Sequence, residues 1–261
     1  MGALIIQRAT DGAMRIEMAR AEVLNAFDEA MIAEIDAAFA QAGADPEVRS
    51  VVLAGQGRAF CAGADVQWMK RQGEADEKAN LEDARRFAAM LHRIAACPKP
   101  TIARVHGACM GGAVGLVCAC DFAVASENAR FSVSEARFGI LPAAISPYLI
   151  AAVGVRRARQ LAISTLRIDA QEALSFGLVS KVVPEAQLDD AVHTLARELH
   201  ASGPNAIAEI KTLYARLGSL ATAEVRELTA ATVARVRATP EAREGFAAFV
   251  EKRAPAWSRD G

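Results

Sequence analysis

Two short turns rich in small residues could each present a backbone N–H group to a negatively charged oxygen. The first covers residues 62–64 and lies between a buried-strand run and a helical stretch. The second joins a strand at 101–105 to another helix through Gly107, Gly111 and Gly112. Unpaired N–H groups at a helix N-terminus favour negative charge. Two such groups aimed at one point would form an oxyanion hole, although the second turn alone is equally consistent with a tightly packed connection that does no chemistry.

A carboxylate follows in an apolar, turn-rich segment. Glu135 lies within the stretch 131–142, where burial would raise the pKa of its carboxyl group and suit it to proton transfer. The alternative is a structural role, in which Glu135 caps a helix or pairs with Arg137 at the surface. Without the two glycine turns, that alternative would be the better interpretation.

These segments together resemble the crotonase (enoyl-CoA hydratase/isomerase) superfamily, and the resemblance covers nearly the whole chain. A single motif would be weak evidence, but several in the family's order and at its separations are specific. They are Leu24-Asn25-Ala26-Phe27, residues 58–65, His106-Gly107 with Gly111-Gly112, Cys120-Asp121, Ser134-Glu135, residues 173–178 with 182–184, and Glu251-Lys252-Arg253. The resemblance implies an α/β fold, with a crotonase-like ββα spiral core and a C-terminal helical region.

The same resemblance implies where an acyl-CoA thioester would bind and react. The N–H groups of Ala64 and Gly112 would hold the thioester oxygen, and Glu135 would be the catalytic acid/base. The residues expected to bind substrate are Ala62, Gly63, Asp65, Gly111, Gly115, Pro142 and Tyr148. Coenzyme A is part of the substrate in this family, so neither a separate cofactor nor a metal ion is expected.

Gly115 departs from the family's hydratase pattern. Hydratases of the family commonly carry two catalytic glutamates, of which the second matches Glu135 and the first falls at Gly115. We expect the missing side chain to leave space for a branched or carboxylated acyl group or for an ordered water, and we expect Gly115→Glu to fold. The stretch 142–149 departs from the common pattern too. Both departures resemble the bacterial branch that includes 3-methylglutaconyl-CoA hydratases of leucine breakdown.

Three activities are weighed on the sequence, and a dehalogenase, hydrolase or C–C lyase on the same scaffold remains a further possibility. The sub-family resemblance favours an enoyl-CoA hydratase that acts through a thioester enolate stabilised at the oxyanion hole. An enoyl-CoA isomerase would need only one carboxylate, which Glu135 alone could supply. A non-catalytic acyl-CoA binder is the third, although a carboxylate near the thioester helps chemistry and hinders the binding of an anion.

The composition argues against several other classes of function. The chain has 261 residues, a net charge of −1 and five cysteines. Such a charge balance argues against a nucleic-acid partner, which requires clustered basic residues. The longest uncharged stretch, 107–120, is too short to cross a membrane. Cysteines in apolar runs are typical of reduced thiols, and the first residues lack a signal-peptide pattern, so a cytoplasmic location is expected.

Strands and helices alternate in the first part of the chain. We expect a β-hairpin around Asp11-Gly12 and a helix at 28–42 that Asp28 caps. Further strands at 50–54, 101–105 and 122–125 are separated by helical segments. This alternation predicts mainly parallel pairing, in a core domain at 1–185 that carries the acyl-CoA site.

The pattern then changes to successive amphipathic helices in a second region at 186–261. The expected helices are 188–201, 205–217, 221–238 and 240–251, with no strand between them. Their apolar residues Leu213, Leu217, Leu220, Val225 and Leu228 offer more surface than one thin helical layer hides. In the family such helices pack on other subunits, so we expect a homotrimer or a hexamer.

Overall fold

The computed structural model describes residues 2–217, 239–251 and 253–257. The strands are β1 (Leu4–Arg8), β2 (Ala13–Met18), β3 (Ser50–Gly55), β4 (Thr101–Val105), β5 (Ala108–Met110), β6 (Phe122–Ser126), β7 (Arg130–Ser132), β8 (Ile168–Asp169) and β9 (Lys181–Val183). The helices are α1 (Glu29–Ala44), α2 (Val66–Glu74), α3 (Glu77–Ala95), α4 (Gly112–Ala119), α5 (Ser146–Ser164), α6 (Ala170–Phe176), α7 (Leu188–His200), α8 (Pro204–Leu217) and α9 (Pro240–Glu251).

Six strands form the main sheet, in the order β1-β2-β3-β4-β6-β9. β1 and β2 pair as an antiparallel hairpin that turns at Asp11-Gly12, where Gly12 has a φ of +93°. The remaining neighbours, from β2 through to β9, are all parallel. Every residue of β3 is buried, as expected for a central strand that is covered on both faces. The hairpin and the mainly parallel pairing are therefore confirmed.

A second, three-stranded sheet has the order β5-β7-β8 and was not predicted. Its strands are two or three residues long, too short to show an alternating pattern. β5 lies between Gly107 and Gly111, so the expected single hinge from strand to helix is two separate turns. A Cβ built on Gly107 would lie 2.1 Å from the Arg58 carbonyl oxygen, which explains why this close approach takes glycine.

Two clusters of buried apolar side chains hold the layers together. The larger cluster lies between the main sheet and α1, α3, α4 and α5. The smaller cluster lies on the other face, where Val52, Ile102 and Val124 of the sheet contact Leu188 and Val192 of α7. α7 thus shares a core with the sheet, although it follows the predicted boundary between 1–185 and 186–261, and that division stays a prediction.

The predicted helices are confirmed where the structure describes them. The Asp28 carboxylate accepts a hydrogen bond of 3.0 Å from the Met31 N–H and caps α1, as expected. α7, α8 and α9 match three of the four helices expected near the C-terminus, whereas the helix expected at 221–238 lies outside the described residues. Within the described part of the chain, no helix is both long and apolar enough to span a lipid bilayer.

Candidate active site

The second glycine turn begins α4, whose first-turn N–H groups have no acceptor within the helix. Gly111 is the N-cap, with φ +55° and ψ −128°, and α4 starts at Gly112. The Gly111 N–H donates to the Ser132 carbonyl oxygen at 2.7 Å, which fixes the turn. The next N–H group, that of Gly112, is one of those that a helix cannot satisfy internally. The sequence prediction of a helix start at Gly112 is confirmed.

The first turn directs the N–H group of Ala64 away from its neighbouring chain segment. Phe27 and Ala64 form a parallel bridge, in which the Phe27 N–H donates to Gly63 O and the Asp65 N–H donates to Phe27 O, both at 2.9 Å. In a parallel pair of this kind, the residue between those two bonds uses neither of its own backbone groups toward the partner. The Ala64 N–H is therefore available on the opposite side.

The two turns lie against each other. The Cys61 N–H donates to Ala108 O at 3.0 Å, and the Met110 N–H donates to Cys61 O at 3.1 Å. A Cβ built on Gly63 would lie 2.6 Å from Met110 O and 4.0 Å from the Gly111 Cα. Ala64 follows Gly63 and Gly112 follows Gly111, the two glycines that meet at this contact. The structure thus brings both predicted donors to one place, and their joint role as an oxyanion hole stays a prediction.

The Glu135 carboxylate lies against the second turn. A Cβ built on Gly111 would be 3.5 Å from Glu135 Oε1, so the absence of a side chain there makes room for the acid. Glu135 Oε2 is buried and has no hydrogen-bond partner among the described residues. Burial raises the pKa of the Glu135 carboxyl, against a smaller opposing effect of nearby backbone N–H groups. A carboxyl group whose pKa is raised by burial is suited to taking up and releasing a proton.

The alternative in which Glu135 pairs with Arg137 is wrong. The Arg137 guanidinium donates instead to Thr165, at 2.8 Å to its hydroxyl and 3.1 Å to its carbonyl oxygen. Both residues belong to a short 3-10 helix, Glu135–Phe138, but Arg137 turns away from the carboxylate to fix the segment that follows α5. Glu135 is thereby left without a cationic partner on its own turn.

The expectation of open space at Gly115 is wrong. A Cβ built on Gly115 would lie 2.2 Å from Cγ2 and 2.7 Å from Cβ of Ile145. Ile145 is 1% exposed and immediately precedes α5. Its branched side chain fills the position that the first family glutamate would take. Neither an acyl branch nor a water shared with a Gly115→Glu side chain fits there unless Ile145 moves, and a contact of Gly115 with substrate stays a prediction.

Asp65 is engaged with the protein through both carboxylate oxygens. Oδ1 accepts hydrogen bonds from the N–H groups of Gln67 and Trp68 and caps α2, at 2.8 and 3.3 Å. Oδ2 accepts from Arg20 at 2.9 Å. Burial alone would raise the pKa of Asp65, but these donors hold it below its ordinary value. Asp65 therefore anchors α2 directly after Ala64, and its predicted contact with substrate is untested.

The remaining predicted residues are Ala62, Pro142 and Tyr148, whose contacts with the protein are as follows. The Ala62 N–H donates to Leu24 O at 2.9 Å, which ties the first turn to the Leu24-Asn25-Ala26-Phe27 motif. The Pro142 carbonyl oxygen accepts at 2.7 Å from the hydroxyl of Ser146, the first residue of α5. Tyr148 is half-buried against the larger core, where burial raises the pKa of its phenol. Pro142 and Tyr148 therefore flank Ile145, and their contact with an acyl group stays a prediction.

Sequence reasoning missed an aromatic wall beside Gly112. The rings of Phe27 and Phe87 stack at 5.2 Å, and Trp68 contacts Phe27 at 5.8 Å between ring centroids. A Cβ built on Gly112 would lie 2.6 Å from Phe27 Cζ and 3.1 Å from Phe87 Cζ. The Gly111-Gly112 turn therefore has Glu135 on one side and aromatic rings on the other. Phe27 belongs to one of the family motifs, whereas the only sequence signal at Phe87 and Trp68 is their spacing along helices.

Comparison with known proteins assigns this architecture to a family. The family model for enoyl-CoA hydratase/isomerase matches residues 8–260, and the chain belongs to that family. A protein of Rhodobacter capsulatus named "Probable enoyl-CoA hydratase" is 36% identical over 253 residues, which cover 94% of each chain. The family resemblance that the motifs carried is thereby confirmed.

Solved structures confirm the crotonase fold. An enoyl-CoA hydratase from Shewanella pealeana superposes with a TM-score of 0.94 at 35% identity, covering 98% of this chain and 96% of that one. Pseudomonas aeruginosa AtuE superposes with the same TM-score of 0.94 at 34% identity, covering 98% of this chain and 100% of that one. The chain therefore combines this fold with a hydratase/isomerase-type function.

Proposed function

We propose that this protein is an enoyl-CoA hydratase that adds water to a 2-enoyl-CoA thioester, with Glu135 as the acid/base. The observation that carries the proposal is the buried, unpartnered Oε2 of Glu135 beside the Gly111-Gly112 turn. The clustering of Ala64 and Gly112 supports the accompanying oxyanion hole. Relatives named as enoyl-CoA hydratases support the same reaction class.

Each group has a defined part in the proposed hydration. Glu135 takes a proton from water, and the water oxygen forms a bond to Cβ of the substrate. The electrons of the double bond move to the thioester carbonyl oxygen, where the N–H groups of Ala64 and Gly112 stabilise the growing negative charge. The protonated Glu135 then returns the proton to Cα, which restores the thioester and the enzyme.

An isomerase is the second candidate, and the filled space at Gly115 favours it. Because Ile145 excludes a second acid from this position, Glu135 works as the single carboxylate. It would remove a proton from C2 of a 3-enoyl-CoA and return the proton to C4, through a dienolate held at the same two N–H groups. The double bond moves from C3–C4 to C2–C3, and no water is consumed.

The finer substrate assignment rests on resemblance. The departures at Gly115 and at 142–149 are similar to those of 3-methylglutaconyl-CoA hydratases of leucine breakdown, so we place that branched thioester first among the candidates. A panel of crotonyl-CoA, a 3-enoyl-CoA and 3-methylglutaconyl-CoA separates the possibilities. Gain of one water in the product mass identifies the hydratase, and a product of unchanged mass identifies the isomerase.

The variant Glu135→Gln tests whether the site is catalytic at all. We expect turnover to fall by about 10²–10⁴-fold, the usual contribution of a general acid/base, while CoA esters still bind. The exposed α7 residue Glu198 offers a matched control, because Glu198→Gln makes the same chemical change away from the site. Unchanged turnover in Glu135→Gln would remove this carboxylate from the mechanism. A wild-type protein that binds the esters and converts none would instead be a non-catalytic binder.

A further inference from the structure

Two buried polar atoms on α2 have no hydrogen-bond partner among the described residues. They are Trp68 Nε1, which is a donor, and Gln72 Oε1, which is an acceptor. Trp68 is 7% exposed, so water hardly reaches its ring. A buried donor or acceptor without a partner is costly and uncommon in native proteins. Such a pair therefore indicates a missing ligand or solvent molecule.

Trp68 and Gln72 lie on the same side of one helix. Residues four apart on a helix are neighbours on its surface, which places Gln72 directly beyond Trp68. α2 begins immediately after Ala64 and is anchored there by Asp65, whose carboxylate accepts the Trp68 N–H at 3.3 Å. The position of the pair relative to the proposed oxyanion hole is thus fixed by a helix cap.

The aromatic wall connects this pair to the proposed reaction centre. Trp68 contacts Phe27 at 5.8 Å between centroids, and the tip of Phe27 lies where a side chain on Gly112 would begin. The subsite proposed below requires that an acyl group held by its thioester oxygen at Gly112 extends past Phe27. The far end of the acyl group would then meet Trp68 and, beyond it, Gln72.

We propose that Trp68 Nε1 and the Gln72 amide form a polar subsite that binds an oxygen substituent at the far end of the acyl group. The indole N–H donates to that oxygen. The Gln72 amide accepts from a hydroxyl through Oε1, or donates to a carboxylate through Nε2 after a half-turn of the amide. The preferred substrates are then oxygen-bearing acyl-CoA thioesters. This inference rests on the proposed acyl-CoA function and adds the substrate class.

Three five-carbon thioesters that differ only at C5 test the subsite. They are 2-pentenoyl-CoA with a methyl group, 5-hydroxy-2-pentenoyl-CoA with a hydroxyl and glutaconyl-CoA with a carboxylate. We expect the wild type to prefer one of the oxygen-bearing esters. Trp68→Phe and Gln72→Met should each reduce that preference in kcat/KM by about tenfold or more, the effect of one lost hydrogen bond to a polar or charged group. The better of the two esters identifies hydroxyl or carboxylate as the ligand.

Fluorescence gives a readout that does not depend on turnover. The chain has two tryptophans, and the other, Trp257, donates to the Ala201 carbonyl oxygen. In a Trp257→Phe background the emission of Trp68 alone is observed. We expect 5-hydroxypentanoyl-CoA or glutaryl-CoA to shift this emission to longer wavelength and pentanoyl-CoA to leave it unshifted.

The outcomes separate the two proposals. Conversion of 2-pentenoyl-CoA with equal substrate ratios in the wild type and Trp68→Phe overturns the subsite and leaves the hydratase intact. Failure of the wild type to hydrate these three esters, crotonyl-CoA and 3-methylglutaconyl-CoA overturns the proposed function, and the fluorescence comparison still decides the subsite. Equal emission with all three saturated esters bound overturns it.

Discussion

The side chain of Ile145 occupies the position where a side chain on Gly115 would begin. A Cβ built on Gly115 would be 2.2 Å from Ile145 Cγ2, far inside van der Waals contact. The Ile145 atom is one arm of a β-branched side chain and cannot rotate away independently of the other arm. The residue at 115 and the residue at 145 are therefore mutually constrained, and a carboxylate at one requires a smaller side chain at the other.

We expect Gly115→Ala to destabilise the protein by about 1–3 kcal/mol, the usual cost of overpacking a filled core. Helix propensity alone would make alanine stabilising. A measured loss of stability therefore shows that overpacking outweighs helix propensity. The double variant Gly115→Ala/Ile145→Ala should be more stable than the sum of the single changes, with a coupling of about 0.5–3 kcal/mol. Urea unfolding of all four proteins measures this, and additive free energies would contradict the contact.

The raised pKa of Glu135 predicts a specific dependence of stability on pH. A carboxyl group whose pKa is higher in the folded chain binds fewer protons when the chain unfolds, so the free energy of unfolding falls as the pH rises through that window. Glu135→Gln removes this effect. We expect the variant to melt at a higher temperature than the wild type at pH 7, with the difference disappearing as the pH falls to the ordinary pKa of glutamate. A constant difference at every pH would argue against a buried, unpaired carboxylate.

The cap of α2 should be important for activity as well as for stability. Asp65→Ala removes the hydrogen bonds to Gln67 and Trp68, and we expect a loss of about 1–2 kcal/mol together with reduced turnover, because Ala64 loses its anchor. Asp76 caps α3 in the same way, with a bond of 2.8 Å to the Ala79 N–H, at an exposed position. Asp76→Ala should cost similar stability and leave kcat/KM unchanged. Equal kinetic effects in the two variants would rule out a positioning role for Asp65.

Gly112 should not tolerate a side chain. A Cβ there would displace the tips of Phe27 and Phe87, from which it would be 2.6 and 3.1 Å away. We expect Gly112→Val to lose turnover of 2-enoyl-CoA more severely than it lowers the melting temperature, since aromatic tips can shift but the acyl group would be crowded. Steady-state kinetics beside a thermal melt compare the two losses. A folded variant with normal kinetics would refute the assigned donor.

The expected homotrimer or hexamer stays a prediction that light scattering can test. Leu213 and Leu217 are half-buried on α8, whereas Leu220, Val225 and Leu228 lie outside the described residues. On the same helix Tyr214 is 69% exposed, an unusual position for a large aromatic side chain unless another surface covers it. We expect a mass three or six times 27.6 kDa. A stable monomer at micromolar concentration would contradict the expectation.

The sequence predicts the main sheet well because its strands carry strong local signals. Thr101–Val105 is a β-branched run after a proline, and Asp11-Gly12 is a turn dipeptide, so the sequence predicts both correctly. The second sheet has no such signal, since its two- and three-residue strands are held by pairing between distant segments. Cys61 and Cys109, for example, meet across the fold in an isolated bridge.

The candidate site likewise contains residues that local motifs predict and residues that only tertiary contacts bring in. Glu135, Ala64 and Gly112 lie in motifs that can be recognised along the chain. Ile145 and Trp68 take part through contacts with partners far away in sequence, and their residue types alone indicate ordinary core packing. Spacing within one helix cannot predict that an isoleucine 30 positions later fills the space beside Gly115. Only the folded arrangement contains that information.

The bonds that join the two glycine turns make the donors one mechanical unit. Phe60 N–H donates to His106 O at 2.7 Å, and the bonds of Cys61 with Ala108 and Met110 continue the contact. The surroundings of the turns come from separate parts of the chain: Phe87 lies on α3 and Ile145 in the segment before α5. Substitutions in these surroundings can therefore leave the bonds between the two turns unchanged. In such a scaffold, substitutions that change acyl preference need not change the proposed oxyanion donors.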